Sequence, residues 1–275
     1  MLLASLTDKL KGLSTNVVSS ATSSQDIQHV GEQPAASVFD CSDVQPGGQQ
    51  LLNGSSAMDK SRSPRTWLSA YLKRITTRTQ DTARLDHMVA LHQLVLALER
   101  PLLTLETGFA NGGSAVAILA TLSAQTKQAG QQEAVHIAVD PLQGNYNKMG
   151  LNGVAHFFST WPDHQSRVSF LHLNETADAA LGSLVRSHQC VDLFFIDGHH
   201  LFDDNMLELY YAHRLLKVGG VLAMHDMWMP SVRKAMKFAT SNLGFQSPRT
   251  GLSKDVGILV KTHVDRRDWQ HFQDF

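Results

Sequence analysis

The sequence predicts a doubly wound α/β fold, in which a mostly parallel sheet is covered by helices on both faces. From about residue 102 onward, short apolar runs alternate with stretches of helical periodicity, which is typical of a parallel sheet. The runs are continuously apolar, and this indicates strands that are buried on both faces. The last two runs have no helix between them, so we expect an antiparallel hairpin at the C-terminal edge of the sheet.

The predicted strands and helices follow one another in a regular order. The strands are "LLTLE" (102–106), "VHIAVD" (135–140), "VSFLHL" (168–173), "VDLFFID" (191–197) and "GGVLAMHD" (219–226), and the C-terminal hairpin comes from "FQSPR" (245–249) and "DVGILVK" (255–261). Helices are expected near 114–124, 145–158, 176–187, 203–216 and 230–243. Two more precede the first strand, one at 63–75 and one within 82–100 that ends before Pro101.

The first 62 residues differ in composition from the rest of the chain. They are rich in Ser, Gln, Gly, Asn and Thr, so we expect a disordered or loosely ordered extension over 1–62, although the first dozen residues are compatible with a short amphipathic helix. Residues 63–263, which contain the two N-terminal helices and the alternating strands and helices, are predicted to be one domain. Residues 264–275 are predicted to be a C-terminal tail. Organelle targeting by the extension stays open, but Asp8 and the lack of Arg before Arg62 count against it.

Composition excludes several classes of partner. The 24 basic and 25 acidic residues give a formal charge of −1, which supplies no cationic field for nucleic acid or a membrane surface. The longest apolar run, 115–122, is too short to span a membrane. With only Cys41 and Cys190, we expect no disulfide and a reducing, cytoplasmic location. A small-molecule substrate is the predicted partner, and a homo-oligomer is left open.

Ionisable side chains end nearly every predicted strand. In a doubly wound sheet, ligands bind beyond the carboxyl ends of the strands, so these residues are the candidates for a site. They are Glu106, Asp140, Asn174 with Glu175, Asp197, and His225 with Asp226. This density of charge at one edge of the sheet predicts a binding or catalytic site there.

A glycine-rich corner follows the first strand and contains Gly108, Ala110, Gly112 and Ser114. A dinucleotide fingerprint could use Gly108, Ala110 and Gly113, but Ala110 adds a Cβ where a pyrophosphate needs close approach, and the Glu106 carboxylate would repel phosphates. A ligand with a cationic head, a carboxylate and a ribose suits the corner better, because the start of the next helix favours the carboxylate. These features point to S-adenosylmethionine.

The order of these motifs resembles that of class I S-adenosylmethionine-dependent methyltransferases, whose sheet is Rossmann-like. "LETGFANGGSA", "VDPLQ", "FFIDGHHLFDD", "RLLKVGGVL" and "HDMWMPSVRK" resemble the subgroup called methyltransferase family 24, over roughly half of the chain. The resemblance implies that Glu106, Gly108 and Ser114 hold the methionine part of the cofactor, Asp140 its ribose, and Asn174 its adenine. Ala110, Gly112 and Asp197 complete the predicted cofactor-binding set.

Two hypotheses account for the acidic and histidine residues that follow the last two parallel strands. In the first, Asp197, His225 and Asp226 bind Mg²⁺ or another divalent cation and His200 is the general base, an arrangement similar to that of catechol-type O-methyltransferases. In the second, no metal binds, and Asp197 orients the base His200. A purely structural alternative is that His199 and Asp203 cap the following helix.

The predicted function is therefore O-methylation of a small hydroxylated metabolite, such as a sugar or a phenol. His200 and Asp197 are the predicted catalytic residues. Two alternatives from other classes stay open at this point: an NAD(P)-dependent oxidoreductase that uses the same corner, and a non-catalytic module that binds S-adenosylmethionine.

Overall fold

The computed structural model describes residues 2–10, 15–18, 40–53, 84–98, 101–129, 133–145, 147–160, 168–248 and 252–275. The helices are α1 Leu2–Lys9, α2 Pro46–Leu52, α3 Arg84–Ala97, α4 Gly113–Ala129, α5 Met149–Thr160, α6 Ala177–Arg186, α7 Phe202–Leu215 and α8 Pro230–Asn242. The strands are β1 Thr15–Val18, β2 Leu103–Thr107, β3 Ala134–Val139, β4 Val168–Leu173, β5 Val191–Ile196, β6 Leu216–Met224, β7 Phe245–Gln246 and β8 Gly257–Lys261.

These strands form one sheet in the order β1-β4-β3-β2-β5-β6-β8-β7. The five central strands, β4 to β6, are parallel, whereas β1 and β8 run antiparallel to their neighbours. From β2 the chain moves outward through β3 and β4, and it then returns to place β5 on the other side of β2. The reversal creates a switch point beside the carboxyl ends of β2 and β5, where ligands bind in sheets of this type.

Apolar side chains from alternate strand positions fill two cores, one on each face of the sheet. Helices α3, α4 and α5 cover the first core, which includes Phe195. Helices α1, α6, α7 and α8 cover the second, which includes Phe194. Both Phe residues are buried, and the burial of each side chain contributes roughly 1.5–3 kcal/mol to the stability of the folded protein. The continuous apolar runs thus pack on both sides, and this confirms the predicted parallel sheet.

The predicted elements of the alternating region all appear, including the antiparallel hairpin of β7 and β8. The helix predicted at 63–75 lies outside the described residues. Within the first 62 residues the structure describes α1, α2 and β1, and β1 adds a strand beside β4. The division into 1–62, 63–263 and 264–275 stays a prediction.

The expectation that the two cysteines stay unpaired was wrong. Cys41 and Cys190 form a disulfide, with 5.6 Å between their Cα atoms and 149 residues of chain between them. The tertiary structure brings the segment before α2 beside the start of β5, and the sequence carries no signal for a contact at that separation. Because disulfides are rare in reducing compartments, the cysteine count no longer supports a cytoplasmic location, which stays a prediction.

Hydropathy gives one further result about the helices. Within the part of the chain that the structure describes, no helix has both the length and the apolar character needed to cross a membrane.

Candidate active site

The five neighbouring parallel strands, β4 to β6, end at the same level of the sheet. Backbone N–H groups just past the strands continue the ladder: Gly108 donates to Val139 at 3.0 Å, and Asp197 donates to Thr107 at 2.9 Å. On the two flanks, the N–H of Asp140 donates to Leu173 at 3.1 Å, and that of His225 donates to Ile196 at 3.0 Å. This alignment brings the polar strand-end residues to one edge, as the sequence predicts.

The glycine-rich corner after β2 needs backbone conformations that few residues adopt. Gly108 has φ +81°, and a Cβ there would lie 1.9 Å from the carbonyl oxygen of Asp197. Ala110 also has a positive φ, 38°, and its N–H donates to Asp140 Oδ2 at 2.8 Å. Asp140 Oδ1 accepts a second bond from the N–H of Leu142 at 2.6 Å. The Asp140 carboxylate therefore fixes the corner as well as facing the ligand space.

The larger of two cavities at this edge has a volume of about 700 Å³. Its lining combines the corner with the ends of β3 and β5 and the starts of α6 and α7. Gly108, Ala110, Asp140 and Asp197 line it, together with the half-exposed apolar side chain of Leu142. Asn174 is exposed and lies outside this lining, whereas Thr176, Ala177 and Asp178 contribute to it.

The smaller cavity, about 420 Å³, shares Gly108, Ala110, Asp197 and Gly198 with the larger one. One side is formed by the start of α4, where Gly112 and Ser114 lie. Polar side chains form the opposite side, namely those of His87, His200, His225, Asp226 and Asp255, with Trp228 at the rim. Two connected cavities that meet over one loop can hold two ligands side by side.

Carboxylates pair with His200, the predicted base, and with His225, a predicted metal ligand. His200 Nε2 lies 2.8 Å from Asp226 Oδ2 and 3.9 Å from Asp197 Oδ1, and its side chain is one quarter exposed. His225 Nδ1 lies 2.7 Å from Asp197 Oδ1. Asp226 has φ +56°, a left-handed conformation that Asp tolerates better than most residues, and it accepts a bond from the Trp228 indole at 2.9 Å. The structure thus brings Asp197, His200, His225 and Asp226 together.

Two histidines in the smaller cavity have shifted pKa values in opposite directions. Burial, followed by the charge of neighbouring His225, holds the pKa of His87 below its ordinary value. Burial also lowers the pKa of His225, but the hydrogen bond and charge of Asp197, with the charges of Asp226 and Asp255, outweigh it and raise that pKa. A positive charge in this cluster is therefore held by His225 in preference to His87.

Glu106 occupies a different environment from the one expected. Its side chain is fully buried, lines neither cavity, and has no hydrogen-bond partner among the described residues. Its Oε1 lies 3.3 Å from Nε2 of buried His136, which is in turn bonded to Thr104 through Nδ1 at 2.9 Å. The role of Glu106 toward a cationic ligand stays a prediction, and this conformation offers the ligand no direct contact with it.

Sequence reasoning missed two residues of the smaller cavity, His87 and Asp255. His87 lies on α3, beside apolar positions of that helix, and nothing in its local pattern distinguishes it. Asp255 carried a usable signal. Because β8 is antiparallel, Gly257 at its start pairs with Met224 at the end of β6, so a polar residue just before β8 reaches the same edge as those that follow the parallel strands.

The fold and a family match together show a methyltransferase domain of the class I S-adenosylmethionine-dependent type in this chain. Residues 105–227 match the family described as a methyltransferase domain, Methyltransf_24. That range contains the corner, Asp140, Asp197, His200, His225 and Asp226, and it excludes His87 and Asp255. The oxidoreductase alternative is therefore set aside.

Solved structures with the same fold support the architecture. A protein of Corynebacterium glutamicum is 16% identical, with a TM-score of 0.53 over 80% of this chain and 99% of that chain. A TDP-rhamnose 3'-O-methyltransferase of calicheamicin biosynthesis is 16% identical, with a TM-score of 0.52 over 78% and 93%. The SAH-bound Podospora anserina methyltransferase PaMTH1 is 14% identical, with a TM-score of 0.52 over 79% and 96%. No curated protein shows significant sequence similarity to the chain.

Proposed function

We propose that this methyltransferase transfers the methyl group to a hydroxyl oxygen of a small metabolite, with His200 as the general base. One observation carries the proposal: the His200–Asp226 pair, at 2.8 Å, lies in the cavity that adjoins the glycine-rich corner. S-adenosylmethionine, when bound, supplies a methyl group on a sulfonium. The protein must then align the acceptor oxygen and remove its proton.

The larger cavity suits the adenosine end of the cofactor. Its volume of about 700 Å³ is within the range of ligand sites. Asp140 Oδ2 accepts from Ala110 and from Gln143 Nε2, whereas Oδ1 accepts from Leu142 and keeps acceptor capacity for a ribose hydroxyl. Leu142 offers an apolar surface for a purine ring. Thr176 and Ala177 line the cavity and Asn174 does not. The segment at Thr176 and Ala177, in place of Asn174, would therefore contact the adenine.

The amino-acid end of the cofactor would extend across Gly108 toward the start of α4. Gly112, Gly113 and Ser114 line the smaller cavity there, and the unpaired N–H groups of a helix start favour a carboxylate. Gly108 and Asp197 border both cavities, so the sulfonium would lie between the cofactor space and the histidines. These assignments give the predicted residues Gly108, Gly112, Ser114 and Asp197 a common role in binding.

His200 is the residue best placed to take a proton from an acceptor. Its imidazole is one quarter exposed in the cavity, and the Asp226 carboxylate at 2.8 Å can orient the ring and stabilise the charge that proton transfer creates. His199, the neighbouring histidine, is 82% exposed and bonds to Asp204 at the start of α7 instead. His200 thus lines the smaller cavity and His199 the larger one, although the two are adjacent in sequence.

The hard cation predicted at Asp197, His225 and Asp226 is supported only weakly by the donors present. Their ligand atoms lie within 4.8 Å of one another. However, Nδ1 of His225 lies at hydrogen-bond distance, 2.7 Å, from Asp197, and Mg²⁺ prefers oxygen ligands throughout. The proposed proton transfer from the acceptor to His200 therefore involves no metal.

The experiment is an acceptor panel of sugars, nucleotide sugars and phenols, read out as S-adenosylhomocysteine release. We expect turnover with at least one hydroxylated acceptor, and a fall in kcat of about 10²–10⁴-fold in His200→Ala with S-adenosylmethionine affinity unchanged. His199→Ala is the matched control, and because His199 lines only the larger cavity, it should keep wild-type kcat at saturating S-adenosylmethionine. Full activity in His200→Ala would remove the base assignment, and cofactor binding without turnover on any acceptor would favour the non-catalytic alternative.

A further inference from the structure

A second group of ligand-type side chains lies on the wall of the smaller cavity. His87 from α3, His225 after β6 and Asp255 before β8 each offer one ligand atom, and these atoms lie within 4.8 Å of one another. His87 is buried, whereas His225 and Asp255 are partly open to the cavity. We propose that these three residues bind one divalent transition-metal ion, such as Zn²⁺ or Co²⁺.

The two imidazoles face each other at hydrogen-bond distance, with one ring nitrogen of each directed at the other. His225 Nε2 and His87 Nδ1 are 2.6 Å apart, and the other nitrogen of His225, Nδ1, lies 2.7 Å from Asp197 Oδ1. A neutral His225 that donates its Nδ1–H to Asp197 presents a lone pair at Nε2. Without a metal ion, His87 donates its Nδ1–H to this lone pair; with one, both nitrogens are free to direct lone pairs at the ion. The metal ion displaces that proton when it binds.

A carboxylate, that of Asp197, holds the His225 ring in place from behind. Asp197 accepts from His225, and Asp255 Oδ2 lies 3.1 Å from His87 Nε2 and 3.8 Å from His225 Nε2. A carboxylate behind a metal-binding histidine fixes the ring orientation and makes the other nitrogen a better donor. Asp197 is therefore a positioning residue for His225 in this site, and Asp255 completes the ligand set as the third donor.

The donor types favour a transition metal over Mg²⁺ or Ca²⁺. Two imidazoles and one carboxylate match the ligands that Zn²⁺, Co²⁺ or Fe²⁺ take in proteins, whereas Mg²⁺ and Ca²⁺ take oxygen ligands. Nitrogen ligands about 2.0–2.1 Å from a tetrahedral ion are separated by about 3.3 Å. The two rings, now 2.6 Å apart, would open by several tenths of an ångström.

This site differs from the one predicted at Asp197, His225 and Asp226, because it uses the other nitrogen of His225. It leaves Asp226 paired with His200 at 2.8 Å. It also depends on His87 and Asp255, which lie outside the matched domain, 105–227. The proposal does not rest on the proposed methyl acceptor or base, since metal binding is measured without cofactor and acceptor.

The test uses the full chain, stripped with a chelator and titrated with Co²⁺, with zinc content measured in parallel by plasma mass spectrometry. We expect one ion per chain and the visible absorption bands of nitrogen-ligated Co²⁺. His87→Gln and Asp255→Asn should each weaken Co²⁺ binding at least about 100-fold. Asp226→Asn and His199→Ala are the controls and should bind Co²⁺ as the wild type does.

Three outcomes would overturn the proposal. The first is no Co²⁺ band and no zinc above the buffer blank, which would assign the space between the rings to a proton. The second is loss of binding in Asp226→Asn with full binding in His87→Gln and Asp255→Asn, which would assign the ion to the Asp197, His225 and Asp226 set. The third is Co²⁺ binding whose spectrum shows oxygen ligands only. The wild-type spectrum stays decisive even where His87→Gln fails to fold.

Discussion

The two cavities that meet over Gly108 are built in different ways. The larger cavity is lined by residues from the corner, the ends of β3 and β5, and the starts of α6 and α7, all within the matched domain, 105–227. The smaller cavity adds His87 from α3 and Asp255 from the turn before β8. Most of the space for the cofactor is therefore formed by the domain itself, while two of the polar groups beside the acceptor space come from segments that flank it.

A family match over 105–227 can describe the cofactor side of the site but only part of the acceptor side. The corner, Asp140 and Asp197 follow from a local pattern, because each ends a strand of the parallel sheet. His87 and Asp255 belong to the site only because α3 and β8 pack beside it. Specificity and metal chemistry are thus expected to depend on the flanking segments, and cofactor binding on the domain.

The largest effect is expected from a substitution at Gly108, which lines both cavities. Gly108→Ala places a Cβ 1.9 Å from the Asp197 carbonyl oxygen at φ +81°, so the corner must shift. We expect a loss of roughly 2–5 kcal/mol in the free energy of unfolding, and at least about tenfold weaker S-adenosylmethionine binding. Urea unfolding and calorimetric titration measure the two effects.

Gly144→Ala is the matched control, because a Cβ there meets nothing within 4 Å. It should leave stability and cofactor affinity within about 0.5 kcal/mol of wild type. Equal effects in the two variants would contradict the role given to the corner.

The next effect concerns the larger cavity alone and depends on pH. Burial, with the charges of Asp204 and Asp197, raises the pKa of Glu208 from 4.5 to about 7, against an opposing effect of the nearby Thr107 hydroxyl. Folding favours the protonated carboxyl, so its stabilising contribution is complete below pH 4.5 and is lost as the pH rises through 7. Glu208→Gln cannot ionise, and it should gain roughly 3 kcal/mol over wild type between pH 5 and pH 8.

Urea unfolding of both proteins at the two pH values measures this difference. A stability gap between Glu208→Gln and wild type that does not change with pH would show that the carboxyl ionises freely in the folded protein.

The smallest effect is expected from a substitution that alters ligand binding in the larger cavity and not in the smaller one. Asp140→Asn keeps the size of a side chain that accepts from the N–H groups of Ala110 and Leu142, but replaces one acceptor oxygen by a donor. We expect S-adenosylmethionine affinity to fall about tenfold, or roughly 1.4 kcal/mol, while Co²⁺ binding in the smaller cavity is unchanged. Asp203→Asn, an exposed change at the start of α7, is the control. Equal loss of cofactor and Co²⁺ binding in Asp140→Asn would contradict the separation.

Most of the fold could be predicted because its signals are local. The runs at 168–173 and 191–197 are continuously apolar, and they became β4 and β5 with both faces buried. β1 was not predicted, because four residues in a polar extension carry no periodic signal, and their pairing with β4 depends on a partner more than 150 residues away. The same reason explains the unforeseen disulfide between Cys41 and Cys190.

The same distinction between local signals and tertiary contacts applies to the residues of the candidate site. Sequence reasoning located Asp140, Asp197, His200 and Asp226 because each follows a strand, but it could not tell that Glu106 turns into the core toward His136. Residues at the end of a strand alternate between the two faces and the open edge. A change of one position along the strand therefore separates a buried side chain from a ligand contact.

By itself, the sequence determined the order of strands and helices, the glycine-rich corner and the set of polar strand ends, since hydrophobic periodicity and turn chemistry act over a few residues. Only the tertiary structure decided that His87 meets His225, that Asp255 reaches the same cavity, and that Cys41 pairs with Cys190. Those contacts join segments that lie far apart along the chain, and they form only when both faces of the sheet are covered.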